Sequence, residues 1–144
     1  MVYTTSSVEE TKEVGYELAK KLDTDGHKRA YIALRGEMGV GKTAFTAGFA
    51  SYFDISGVRS PTYTVVNEYG KERKIFHFDM YRISDEDELY SIGYDEYTER
   101  DGYVIVEWSE NIEDAIPADA IFVSIERVAD DENKRKITVS ERKS

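Results

Sequence analysis

The sequence predicts an α/β fold, a mixed parallel and antiparallel sheet flanked by helices, and three stretches carry that prediction. Ala30-Tyr31-Ile32-Ala33-Leu34 is an apolar run of strand length that leads through a glycine-rich loop into a segment with Phe45, Phe49 and Phe53 at helical spacing. Tyr63-Thr64-Val65-Val66-Asn67-Glu68-Tyr69 and Lys74-Ile75-Phe76-His77-Phe78-Asp79 are β-prone runs separated by Gly70-Lys71-Glu72-Arg73, a hairpin that adds antiparallel strands. Tyr103-Val104-Ile105-Val106 is almost continuously apolar, the pattern of a strand buried on both faces. At 144 residues the chain fits one domain, 1–144, able to bury roughly two-thirds of its unfolded surface.

The remaining elements follow in order. Ser6 with Glu9, and Ser7 with Glu10, are capping-box pairs that start a helix, with Val8, Thr11, Gly15, Leu18 and Leu22 on one face. Asp23 to Lys28 is polar and returns the chain to the first apolar run; His27 reads as a solvated loop residue. Asp54 to Thr62 is a loop of turn formers and hydroxyls in which Pro61 biases Ser60 away from helix. Ser84 with Asp87 caps a short acidic helix. Tyr90, Tyr94 and Tyr97 follow at spacings of four and three, either packing in the core or facing a partner, and Gly93 interrupts any helix that would align them. Asn111 to Ile116 is a short helix stopped by Pro117, and strands near Ile121–Arg127 and Arg135–Val139 make a C-terminal hairpin around Ala129–Asn133.

The stretch with a chemistry of its own is Gly36-Glu37-Met38-Gly39-Val40-Gly41-Lys42-Thr43, which matches G-x-x-x-x-G-K-[ST] between a strand and a helix, the context a phosphate-binding P-loop needs. Glycines let backbone N–H groups wrap phosphate closely, and the following helix start adds partial positive charge. Lys42 would reach the β- and γ-phosphates, and the Thr43 hydroxyl would serve Mg²⁺, a hard cation held by few protein oxygens plus phosphate and water. Mg²⁺-dependent hydrolysis also asks for a carboxylate at the end of a neighbouring strand. Asp79 and Glu107 each close an apolar run, and each is either such an acid or a solvated strand end. Thr62 stands where P-loop GTPases carry a γ-phosphate-sensing threonine, and is either a switch residue or a plain turn hydroxyl. His77, with no second histidine nearby and no cysteine in the chain, reads as packed or hydrogen-bonded within its strand rather than as a metal ligand.

Composition narrows the classes. A net charge of −10 disfavours an extended nucleic-acid surface, which works through clustered Lys and Arg, so any role on RNA or DNA is expected to be indirect. No apolar run approaches bilayer length, and the N-terminus has neither a basic leader nor an apolar core, so a soluble protein without an export signal is expected. With no cysteine there are no disulfides, which is compatible with a cytoplasmic location.

Taken in order, Gly36–Thr43, Ser60-Pro61-Thr62-Tyr63-Thr64, His77-Phe78-Asp79-Met80-Tyr81-Arg82, Glu88-Leu89 with Ile92-Gly93, and Val106-Glu107-Trp108 resemble the TsaE (YjeE) family, the bacterial tRNA threonylcarbamoyladenosine biosynthesis ATPase. The matches span most of the chain. The resemblance implies ATP and Mg²⁺ as ligands, ATP hydrolysis in concert with TsaD and TsaB, and contact with tRNA only through that complex. It implies phosphate and metal roles for Lys42 and Thr43 and a switch-like loop at Ser60, Pro61 and Thr62. Asp79 and Glu107 become the site acids, with Glu107 favoured for the metal because its strand reads as the more buried, and Thr11 is a candidate for the adenine end. Trp108 belongs to the pattern, either packing to fix Glu107 or meeting a partner. Two rival readings are a small-molecule kinase, against which the arginines are scattered rather than gathered in a lid, and a GTP switch. For the latter the nearest string to N-K-x-D, Asn133-Lys134-Arg135-Lys136, lacks the aspartate.

Overall fold

The computed structural model describes residues 1–37, 39–59, 61 and 66–141. Met38, Ser60, Thr62 and the stretch Tyr63–Val65, all named above, lie outside the described residues. The elements are β1 (Val2–Thr5), α1 (Val8–Thr24), β2 (Arg29–Arg35), α2 (Lys42–Ser51), β3 (Val66–Tyr69), β4 (Ile75–Asp79), α3 (Glu86–Ser91), α4 (Tyr94–Glu99), β5 (Gly102–Glu107), a 3-10 turn (Ser109–Ala115), β6 (Ile121–Val128) and β7 (Asp131–Glu141).

Among the described residues the strands form one seven-stranded sheet in the order β1-β7-β6-β2-β5-β4-β3. Its centre, β6-β2-β5-β4, is parallel, while β3 pairs antiparallel on β4 at one edge and β7 and β1 continue antiparallel at the other. The predicted mixed sheet is therefore present. Every residue of β4 and β5 is buried, as strands covered on both faces require. Side-chain alternation sends Ile75, Ile105, Ile32 and Leu34 to the face covered by α1 and α2, and Phe76, Phe78, Val104 and Val106 to the face covered by α3, α4 and the 3-10 turn.

Helix α1 starts on Ser7, whose Oγ accepts from the Glu10 N–H at 3.1 Å, while Glu10 Oε1 accepts from the Ser6 N–H at 3.2 Å. The cap is thus shared between the two serines. Thr11, Val14, Gly15, Ala19 and Leu22 are its buried positions; Val8, expected on that face, is exposed because it stands in the first turn, before the helix meets α2. Where α1 and α2 cross, glycine is required on both sides. A Cβ on Gly15 would run into the Phe45 carbonyl, and one on Gly48 into the Lys12 backbone. This contact fixes α2, and with it the helix start that follows the glycine loop, against the sheet.

One expectation needs correction, one is borne out, and one strand is new. Helix α3 is capped by Asp85, which accepts from the Glu88 N–H at 3.0 Å, and not by Ser84, whose hydroxyl donates to the Glu88 carboxylate. Gly93 adopts the left-handed conformation (φ 78°) and splits the tyrosine segment into two helices; Tyr94 and Tyr97 then pack beside Phe78, and Tyr90 is exposed. Strand β1 was not predicted, since Val2–Thr5 is short and partly polar. It forms because β7 offers it a free edge, with Val2 opposite Thr138 and Thr5 opposite Arg135.

Candidate functional site

Parallel strands ending at one edge of a sheet create a cleft there, and this chain fills it with the residues its motifs single out. Gly39, Gly41, Lys42, Thr43, Asp79, Tyr81, Arg82, Glu107 and Trp108 line a cleft of about 530 Å³. Helix α2 begins on Gly41 (φ 120°), a backbone conformation that side chains disfavour, and no side chain caps it. Its first N–H groups are therefore available to an anion, the arrangement that suits phosphate.

Lys42 is buried. Its Nζ donates to the Gly36 carbonyl at 2.8 Å and lies 4.1 Å from the centre of the Trp108 ring. Burial pushes the ammonium below the usual lysine range, and the nearby Glu107, Glu110 and Asp79 carboxylates pull in the opposite direction. Trp108 itself has left-handed backbone (φ 58°, ψ 39°), uncommon for a bulky residue, which breaks the strand alternation and sets the indole against Tyr81 in a tilted contact, ring centroids 5.0 Å apart. The indole at the end of β5 thus gains a physical account: it provides a cation–π face for the loop lysine.

The two acids are level. Strands β4 and β5 run parallel with Asp79 opposite Glu107, and the Met80 N–H donates to the Glu107 carbonyl at 3.0 Å. Asp79 Oδ1 accepts from the Tyr81 N–H at 2.9 Å, and Glu107 Oε2 accepts from His77 Nε2 at 2.5 Å. Both strands are wholly buried, so burial does not separate the two acids as the sequence suggested. Among the described residues no three His, Cys, Asp or Glu side chains gather into a metal cage. One hydroxyl and two carboxylates around a glycine-rich loop form a hard oxygen set of the kind Mg²⁺ takes, so Thr43, Asp79 and Glu107 fit that ion.

Thr11 stands apart from this cleft. It is buried on α1, its Oγ1 2.9 Å from Thr5 Oγ1, and with Ser7, Val40, Gly41, Asn133 and Arg135 it lines a recess of about 130 Å³ that adjoins the loop through Gly39, Gly41 and Ala44. Pro61 is not among the described residues that line either cavity.

Two supporting residues escaped the sequence reading, and a third, His77, is packed and hydrogen-bonded within its strand as expected, though with a partner the sequence did not name. Arg35, just before the loop, donates from Nε to Ser109 Oγ at 3.4 Å, pairs with Glu113 and stacks on Phe122, while Ser109 Oγ donates to the Leu34 carbonyl at 3.2 Å. These contacts tie the strand entering the loop to the turn that leaves Glu107 and Trp108. Arg135 donates from Nε to the Val40 carbonyl at 2.9 Å, so β7 braces the loop from the far end of the sequence. His77 is completely buried and meets Glu107. Its signal was available, since it precedes Asp79 by two residues and so shares its face, but the partner depends on β4 lying next to β5.

The sheet order, the uncapped helix start after a glycine loop and the strand-end acids define an α/β protein of the P-loop NTPase type. The sequence model of the family described as "Threonylcarbamoyl adenosine biosynthesis protein TsaE" matches residues 5–137. The chain belongs to the TsaE family. Relatives named "tRNA threonylcarbamoyladenosine biosynthesis protein TsaE" include that of Bacillus subtilis, 41% identical over 74% of this chain and 66% of its own length. That of Haemophilus influenzae is 39% identical over 81% and 74%, and that of Aquifex aeolicus 38% over 90% and 91%. Among solved structures, the crystal structure of Bacillus subtilis YdiB superposes with a TM-score of 0.80 at 29% identity, covering 99% of this chain and 86% of that one.

Proposed function

We propose that this chain is a single-domain, Mg²⁺-dependent ATPase subunit of the cytoplasmic machinery that makes N6-threonylcarbamoyladenosine in tRNA, working with TsaD and TsaB. The observation that carries the reading is the convergence of Lys42, Thr43, Asp79 and Glu107 on one cleft beside an uncapped helix start. Lys42 and the loop N–H groups bind the phosphates, and the recess beside Thr11 takes the nucleoside end. Thr43 and Glu107 hold Mg²⁺, which neutralises phosphate charge when bound. Asp79, on the neighbouring strand, orients the attacking water, and Thr62 with Ser60 and Pro61 forms the loop that responds to the γ-phosphate. The acidic net charge fits a subunit that meets tRNA through its partners rather than by its own surface.

The test is the Mg²⁺-dependent hydrolysis rate of the purified chain, alone and titrated with the TsaB–TsaD pair. Saturable stimulation by the pair, with GTP a poor substitute, is the expected result. Phosphate transferred to a small acceptor instead of water would replace this reading with a kinase. ATP hydrolysis indifferent to the pair would remove the assigned pathway and leave the nucleotide site standing.

A further inference from the structure

We propose that His77 is a positioning residue that holds the Glu107 carboxylate in place for divalent-cation binding, a role that rests on the reading of Glu107 as a Mg²⁺ ligand. His77 lies in the middle of β4 between Phe76 and Phe78, with no exposed surface. An imidazole in such surroundings is costly unless its nitrogens are hydrogen-bonded. Only one of them is, among the described residues: Nε2 donates to Glu107 Oε2 at 2.5 Å, and Nδ1 has no partner. A phenyl or aliphatic side chain, as at the flanking positions, would fill this strand without an orphaned polar atom, so packing alone does not account for histidine here. What histidine adds is one directed N–H.

The register explains where that N–H points. His77 is opposite Ile105, and Asp79 is opposite Glu107, so His77 sits one layer below Asp79 on the same face and reaches diagonally to the acid of the neighbouring strand. The two acids are thereby held in matching fashion. One oxygen of Asp79 is taken by the Tyr81 N–H and one oxygen of Glu107 by His77, which leaves each carboxylate with a second oxygen for the cleft that both residues line. Glutamate has one more rotatable bond than aspartate, and its tether comes from a side chain instead of the adjacent backbone. Loss of the His77 donor would leave that carboxylate free to turn. Partners of this kind that orient a metal-binding side chain commonly change metal affinity by about 10–100-fold when removed.

The single tryptophan, Trp108, lines the cleft and reports on it by fluorescence. Wild-type chain, His77→Leu and His77→Gln would each be titrated with a non-hydrolysable ATP analogue in EDTA, and then with Mg²⁺ at fixed analogue. Gln carries an amide N–H at about the reach of Nε2, whereas Leu has none. The expected result for His77→Leu is a Mg²⁺ half-saturation raised about tenfold, with metal-free analogue affinity within about twofold of wild type, and substantial recovery in His77→Gln. Unchanged Mg²⁺ half-saturation in His77→Leu overturns the positioning role and spares the cation site. Equal losses with and without Mg²⁺ also overturn it, because they signal general damage. A wild-type titration with no Mg²⁺ dependence overturns both the cation site and the positioning role. Should His77→Leu not fold, His77→Phe, matching the flanking residues, replaces it under the same criteria.

Discussion

Gly48→Ala sets two effects of opposite sign against each other. Alanine is the better helix former by about 1 kcal/mol, so on local propensity the substitution in α2 is stabilising. The helix crossing argues the reverse. An added Cβ would lie 2.5 Å from the carbonyl carbon and 2.6 Å from the Cα of Lys12, and still closer to its oxygen. All three are backbone atoms, so no side-chain rotamer relieves the clash and the helices must part by roughly 1 Å, a gap that forfeits a quarter to a half of each affected dispersion contact. Overpacking of this kind costs about 1–3 kcal/mol, and a backbone clash belongs at the upper end, which leaves a net loss of about 2 kcal/mol after the propensity gain. Equilibrium urea denaturation measures it. Gly15→Ala probes the same crossing from α1, where the blocking atoms are the Phe45 carbonyl and the Phe49 nitrogen. Because either substitution separates the same pair of helices, the double variant is expected to lose less than the two single losses added together. A Gly48→Ala protein as stable as wild type, or more stable, would refute the account of the crossing.

Other expectations follow from the cleft and the core. Lys42→Ala removes a buried cation that lies near the helix start and contributes nothing apolar to the core. It should lower ATP affinity by about 1.5–3 kcal/mol, the range for charge-assisted hydrogen bonds, with an unchanged urea midpoint, as isothermal titration and denaturation would together show. Trp108→Leu deletes the cation–π face over Lys42 and should weaken nucleotide binding by about 0.5–2 kcal/mol, measured by calorimetry because the variant has no tryptophan; equal affinity would deny the contact a role. Burial pushes the Tyr94 phenol up to about 12 and raises that of Tyr31 as well, and the two hydroxyls lie 2.7 Å apart, with Tyr94 donating to the Ala115 carbonyl. Unfolded tyrosines ionise near 10.0, so the folded state keeps protons that the unfolded state releases, and stability should be intact below pH 10 and fall from there toward pH 12. Tyr31→Phe should flatten that alkaline slope of unfolding free energy by about 1.4 kcal/mol per pH unit.

Much of the fold was legible because the sheet's central strands are unambiguous. Tyr103–Val106 has no polar alternative, and the run from Ala30 into the glycine loop leaves only one way to place the helix carrying Phe45 and Phe49. The acids Asp79 and Glu107 could be named from sequence because each ends such a strand. Their common level could not, since it follows from β4 and β5 being neighbours in register. The same holds for His77, whose face was readable and whose partner was not. Arg35 and Arg135 were missed for a different reason. A lone arginine carries no periodic signal, and its partners, Ser109 and Glu113 in one case and the Val40 carbonyl in the other, lie more than 70 residues away. Strand β1 was invisible because four residues of mixed polarity become a strand only when an edge exists to receive them.

That edge bears on how the protein is made. The first strand of the chain pairs with the last, Val2 beside Thr138, and the glycine loop, built by residue 43, is braced by Arg135. A ribosome releases the chain from its beginning, at about 5–20 residues per second. Strand β1 therefore waits without a partner while most of the sheet is synthesised, and the glycine loop emerges long before the side chain that steadies it. The loop is thus steadied only once Arg135 has been made, so completion of the site and completion of the sheet become nearly a single event.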